Sequence, residues 1–134
     1  YEKHLEKVEV SEDRLRETLF GPEPAAFVLL AYQGAVAVGF AVYFHTYSTF
    51  VGLRGLYLED LFVKPEARDK GVGRELLRHL AGVAKQKGCA RIEWAVLHWN
   101  EPAKGFYQKL GAVPVNDWAV YRLEGEALDQ LARA

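Results

Sequence analysis

Leu58-Glu59-Asp60-Leu61-Phe62-Val63-Lys64-Pro65-Glu66-Ala67-Arg68-Asp69-Lys70-Gly71-Val72-Gly73-Arg74 is the stretch on which the fold of this chain turns. Leu56 to Val63 is apolar and β-prone, Pro65 stops it, and a charged loop runs from Glu66 to Lys70. A helix opens near Gly71. Val72, Leu76, Leu77, Leu80 and Val83 recur at the helical period, and Gly88 supplies the residue after its end. Strand, basic glycine-bearing turn and helix start together make an anion site. The first N–H groups of a helix have no internal partner, and they lie at the positive end of its dipole. Gly71 and Gly73 let a pyrophosphate approach the backbone, and Arg68, Lys70 and Arg74 add positive charge. The spacing completes neither the dinucleotide fingerprint nor a Walker loop. The alternative is a helix start that simply holds two glycines.

Outward from this stretch, the pattern is that of a mixed α/β sheet with helices on its faces. Upstream, Ser11 caps a short helix that Gly21-Pro22-Glu23-Pro24 ends. Ala25 to Tyr32 and Ala35 to Tyr47 read as strands joined at Gln33-Gly34, with a loop from Ser48 to Gly55. Downstream, Ala90 to Leu97 reads as a strand and Asn100 to Leu110 as a helix with Pro102 in its first turn. Ala112 to Val115 and Val120 to Leu123 read as short final strands, and a helix follows from Gly125. With 134 residues, 50% hydrophobic and 26% charged, the chain suits one globular domain over residues 1–134. A net charge of -1 offers no electrostatic attraction for nucleic acid or an anionic membrane, and no apolar run is long enough to span one. The single cysteine, Cys89, reads as a small buried filler. It forms no internal disulfide, and a reducing cytoplasm is the default compartment. His4, His45 and His79 show no metal-ligand spacing.

Arg68-x-x-Gly71-x-Gly73 after an apolar strand resembles the acetyl-CoA loop of the GNAT acetyltransferases. A second landmark follows some thirty residues on: Trp99-Asn100-Glu101-Pro102-Ala103-Lys104-Gly105-Phe106-Tyr107, then Lys109-Leu110-Gly111-Ala112. The resemblance runs over nearly the whole chain and is nearest to the spermidine/spermine and thialysine acetyltransferase branch. Tyr1-Glu2, Tyr47-Ser48-Thr49, Tyr57-Leu58-Glu59-Asp60 and Trp99-Asn100 carry that nearer match. It implies a GNAT acyl-CoA N-acyltransferase fold: mostly antiparallel N-terminal strands and a central parallel pair splayed at the CoA site. It also implies a first strand upstream of Tyr1, a homodimer, and acetyl-CoA as cosubstrate. The contacts it implies for acetyl-CoA are Leu61, Phe62 and Val63, the loop and helix start Arg68, Asp69, Lys70, Gly71, Val72, Gly73 and Arg74, then Asn100, Pro102, Ala103 and Tyr107.

The chemistry of acetyl transfer gives some of these residues roles. An alkyl ammonium, with a pKa of about 10.4, must lose a proton before it attacks a thioester. Glu59, toward the end of the strand before the loop, is the candidate base, a role the resemblance also assigns. The alternative is a carboxylate on a solvated strand face. Asp60 is expected to point to the opposite face unless the strand is bulged, and is assigned to substrate attraction or structure. The CoA thiolate leaves more readily when a phenol donates to it, and Tyr107 is the candidate; a core tyrosine is its alternative. One N–H of Leu61–Val63 is placed to polarise the thioester carbonyl. Asn100 doubles as a helix N-cap.

By resemblance Tyr1, Glu2, Glu59 and Trp118 line the amine pocket. Asp60 adds charge, and Trp94 is either core or pocket wall. Ser48 and Phe50 stand where polyamine-specific relatives carry an acid and a tryptophan, which favours a shorter amine such as a lysine or thialysine side chain. His98 replaces an acid and reads either as an auxiliary base or as a plain strand-end histidine. The leading expectation is an amine N-acetyltransferase working by direct attack on a small-molecule amine. A protein lysine or N-terminus as acceptor and a non-catalytic acyl-CoA-binding domain stay open.

Overall fold

The computed structural model describes residues 9–134, so Tyr1 and Glu2 lie outside the described residues. The chain divides into two compact units, Tyr1–Ala95 and Val96–Ala134.

The first unit holds the sheet. Helix α1 (Glu12–Phe20) opens at Ser11, whose hydroxyl accepts from the Arg14 N–H at 3.2 Å. Strands β1 (Phe27–Gln33), β2 (Val36–Ser48) and β3 (Leu53–Val63) form an antiparallel meander, and helix α2 (Val72–Gln86) then crosses over to β4 (Ile92–Trp94). The order is β1-β2-β3-β4, with β3 and β4 parallel. The mixed sheet expected from the sequence is therefore present. The β3–β4 ladder holds three pairs and ends at Leu58–Trp94, while the β2–β3 ladder runs on to Gly39–Val63. Strand β3 starts three residues earlier than the sequence pattern suggested, and β4 is shorter than Ala90–Leu97.

Helix α2 covers one face of this sheet. Leu76, Leu77, Leu80 and Ala84 are buried together with Leu56 and Leu58 of β3 and Val38 and Ala41 of β2. Leu80 and Leu56 are the largest fully buried side chains, and burial of each stabilises by about 1.5–3 kcal/mol. Gly39 permits a close approach of the strands: a Cβ there would meet the Phe62 carbonyl oxygen at 2.8 Å. Cys89, after α2, is half-buried rather than the buried filler expected. Its Sγ lies 3.8 Å from His45 Nδ1, which also lies 3.3 Å from the Gly55 carbonyl oxygen.

The second unit carries helices α3 (Glu101–Lys109) and α4 (Gly125–Arg133). The two final strands expected at 112–115 and 120–123 are not formed; that segment pairs with no strand among the described residues. Pro114 lacks an N–H, Asn116-Asp117 favours a turn, and two short strands alone are marginal in water. Val120 and Tyr121 are 94% and 95% exposed.

Candidate active site

The β2–β3 register slips at one position. Tyr43 faces Leu58 and the next residue, Val42, faces Asp60, which leaves Glu59 as the extra residue of a β-bulge. On the N-terminal side of the slip, Leu56 and Leu58 are buried toward α2. On its C-terminal side, Leu61 and Val63 point toward α2, because a Cβ on Gly73 would meet their methyl groups at 3.8 and 3.9 Å. The phase changes from even to odd across Glu59. Tyr57 and Asp60 therefore both face away from α2, with Glu59 between them. The strict alternation that would have separated Glu59 from Asp60 does not hold here. Glu59 is exposed and Asp60 half-buried.

The same face carries Phe62, whose ring lies 5.6 Å from that of Phe40. The loop after β3 folds back on it. Arg68 Nε donates to the Val63 carbonyl at 2.9 Å, and the guanidinium sits 5.7 Å from the centre of the Phe62 ring. Arg68 therefore ties the loop to β3 as well as adding charge. Pro65–Ala67 form one 3₁₀ turn. Asp69 (φ 63°) and Gly71 (φ 83°) then turn the chain left-handed into α2. Gly71 is the N-cap, and no side chain caps the helix. By contrast, a side chain caps α1 (Ser11) and α3 (Asn100). The first N–H groups of α2 thus suit a phosphate, with Lys70 and Arg74 exposed beside them.

In the second unit, the Asn100 side-chain oxygen accepts from the Ala103 N–H at 3.3 Å, with Pro102 in the first turn of α3. The capping role read from the sequence is present, and the Asn100 amide group keeps its N–H donors for a second task. Lys104 Nζ donates to the His98 carbonyl at 2.7 Å. Tyr107 lies on α3 with its ring 5.6 Å from that of Phe106, and burial pushes its phenol above the ordinary value. Trp118 is 73% exposed.

Trp94 is the register partner of Leu58 and so stands on the α2 side of β4, while Glu93 pairs with Tyr57 on the other side. The sequence reading gave Tyr57 no role of its own and missed Glu93. A cleft of about 330 Å³ opens between β1 and the first half of α2, with Lys70, Gly71 and Val72 on its rim. Neither Glu59 nor Asp60 lines it, so the carboxylates and this cleft are separate features.

Residues 2–112 match the Acetyltransferase (GNAT) family. The thialysine N-epsilon-acetyltransferase of Bos taurus is 41% identical over 143 aligned residues, which cover 98% of this chain and 84% of that protein. The L-ornithine N5-acetyltransferase of Arabidopsis thaliana is 36% identical over 82% of this chain and 48% of its own length. Among solved structures, an integron cassette protein from the mobile metagenome of V. cholerae superposes with a TM-score of 0.81. It is 32% identical, and the match covers 93% of this chain and 80% of that one.

Proposed function

The chain belongs to the GNAT acetyltransferase family, and from that premise we propose that it acetylates a primary amine of a small cationic molecule. Membership makes it an acyltransferase, and the family's acyl donor is acetyl-CoA. The finer reading is an acceptor of the lysine, thialysine or di- and polyamine kind, attacked directly in a ternary complex. The observation that carries it is the bulge at Glu59, which gathers Glu59 and Asp60 on one face at the end of the strand that leads into the uncapped α2 N-terminus.

The residues present fit acetyl-CoA. The N–H groups that open α2, with Lys70 and Arg74, would hold its pyrophosphate. Arg68 keeps the loop folded for them, with Asp69, Gly71, Val72 and Gly73 forming the turn. The β3 backbone at Leu61–Val63 would align the pantetheine arm, and Asn100, Pro102 and Ala103 would contact it at the start of α3. Acetyl-CoA supplies an activated thioester, and the chain supplies the proton traffic. Glu59 takes a proton from the ammonium, directly or through water, which frees the nitrogen lone pair. A nitrogen–carbon bond forms at the carbonyl as the carbon–sulfur bond breaks. Tyr107 delivers a proton to the departing thiolate, and the proton that the new amide nitrogen sheds restores the phenol. A phenol holds its proton at neutral pH, and burial raises this one's pKa further.

The family match crosses the boundary between the two units, which supports treating residues 1–134 as one catalytic domain. A cytoplasmic homodimer completes the proposal, carried by resemblance to the polyamine and thialysine branch. The test is CoA release from acetyl-CoA across a panel of lysine, thialysine, ornithine, spermidine, spermine, short diamines and a lysine peptide. Turnover confined to small amines is expected. Turnover on the peptide alone would move the acceptor to protein, and undiminished turnover in both Glu59→Gln and Tyr107→Phe would overturn the assigned roles.

A further inference from the structure

The face of the sheet away from α2 holds more than the proposed base. Tyr57 of β3 and Glu93 of β4 are register partners across the parallel pair, so their side chains leave the sheet on the same side. The Phe44 ring lies 5.2 Å from the Tyr57 ring and walls that side. Arg91, two residues before Glu93, shares its side by the same alternation, and Arg91 Nε lies 3.3 Å from Glu93 Oε1. The pair is partly solvated, with 53% and 40% of the two side chains exposed. Each charge can therefore exchange its partner for a ligand at little cost.

Beside Glu59 there is thus one fixed anion next to one fixed cation. A purely cationic end of a substrate would gain from Glu93 and lose to Arg91. A zwitterionic end meets both, its carboxylate on the guanidinium and its ammonium on Glu93. Glu93 is one strand across from Glu59 and two residues back. At about 4.8 Å between strands and about 3.3 Å per residue, the diagonal is about 8 Å. An extended lysine-length side chain spans about that distance between its two nitrogens. Burial first, then the charges of Glu59 and Glu93, hold the Tyr57 phenol above its ordinary range, so both carboxylates act on its hydroxyl.

We infer that Arg91 and Glu93 form a specificity subsite for the α-carboxylate and α-ammonium of a free amino acid of lysine or ornithine length, whose side-chain amine reaches Glu59. This deepens the acetyl-transfer reading above and rests on it for the role of Glu59.

The experiment compares lysine and ornithine with their decarboxylated forms, 1,5-diaminopentane and 1,4-diaminobutane, in the wild type, Arg91→Gln and Glu93→Gln. The wild type should favour each amino acid over its diamine about tenfold in kcat/KM. Arg91→Gln should abolish that preference by raising KM for the amino acids alone, and Glu93→Gln should raise KM for both classes. Calorimetric titration with Nε,Nε-dimethyl-lysine, whose tertiary amine cannot give a stable amide, reads the subsite without turnover. Binding by the wild type and not by Arg91→Gln, with no amine acetylated, would sink the transfer reading and keep the subsite. Acetylation by all three proteins with unchanged preferences would sink the subsite and keep the transfer. Matching thermal melts of the three proteins would exclude a folding effect.

Discussion

Glu59 and Asp60 stand on the same face of β3 although they are neighbours in an extended strand. The register slip that places them together is a bulge, and a bulge re-aims a side chain without disturbing the ladder on either side of it. If Glu59 takes the proton, Glu59→Gln lowers kcat about 100-fold or more, because general-base contributions begin near that size. Asp60→Asn should act mainly on acceptor KM. Steady-state kinetics with the amine varied at saturating acetyl-CoA separates the two, and an Asp60→Asn effect confined to kcat would reverse the assignment.

Gly71 and Gly73 serve different ends. Gly71 holds φ 83°, and a Cβ there meets nothing within 4 Å, so Gly71→Ala costs about 1–2 kcal/mol from backbone strain alone. At Gly73 a Cβ would rest in ordinary contact with Leu61 and Val63 at 3.8 and 3.9 Å. Gly73→Ala should therefore melt within a few degrees of the wild type. Its KM for acetyl-CoA tells whether the backbone there must be bare for the phosphates, and a rise of several-fold is expected.

Asn100 carries two tasks that one substitution can part. Asp caps a helix about as well as Asn, whereas Ala loses about 1 kcal/mol. Asn100→Asp keeps the acceptor that takes the Ala103 N–H but removes the amide donors. Its thermal midpoint should match the wild type while KM for acetyl-CoA rises. Unchanged affinity would reduce Asn100 to its cap.

Three phenols, Tyr43, Tyr57 and Tyr107, have pKa values raised above 10.0, all chiefly by burial. Above pH 10 the unfolded chain releases these protons while the folded chain still holds them. The unfolded state then binds fewer protons, and stability falls as pH rises. Below pH 10 both states keep the protons and the groups add no slope. Urea unfolding midpoints measured from pH 8 to 11.5 should be flat across these groups' range up to about pH 10 and then decline. Substituting Phe for Tyr107 and for Tyr43 should flatten the decline.

Much of this was legible in the sequence because the relevant signals are local. Ser11, Gly88 and Asn100 mark helix ends through groups within four residues, and each end falls where those residues place it. The β3-loop-α2 sequence announces itself through Pro65 and two glycines. The bulge was also written in the chain, as apolar residues at 56 and 58 and then at 61 and 63, a change of phase that strict alternation overlooks. What could not be read is non-local. Tyr57 meets Glu93 only because α2 returns the chain in parallel register. The segment after Gly111 looks strand-like by composition, but a strand needs a neighbour, and composition does not supply one.

Sulfur occurs once in these 134 residues, at Cys89, half-buried against His45 where α2 hands the chain back to the sheet. With no second thiol and no methionine to compete, a thiol-selective reagent leaves its mass at a single address. The rate of that reaction is then a clock for one event, the loosening of the α2 end from β2, and intact-protein mass spectrometry can follow it without labels or mutations. A ligand that tightens α2 from its other end, a 15-residue helix away, should slow that clock.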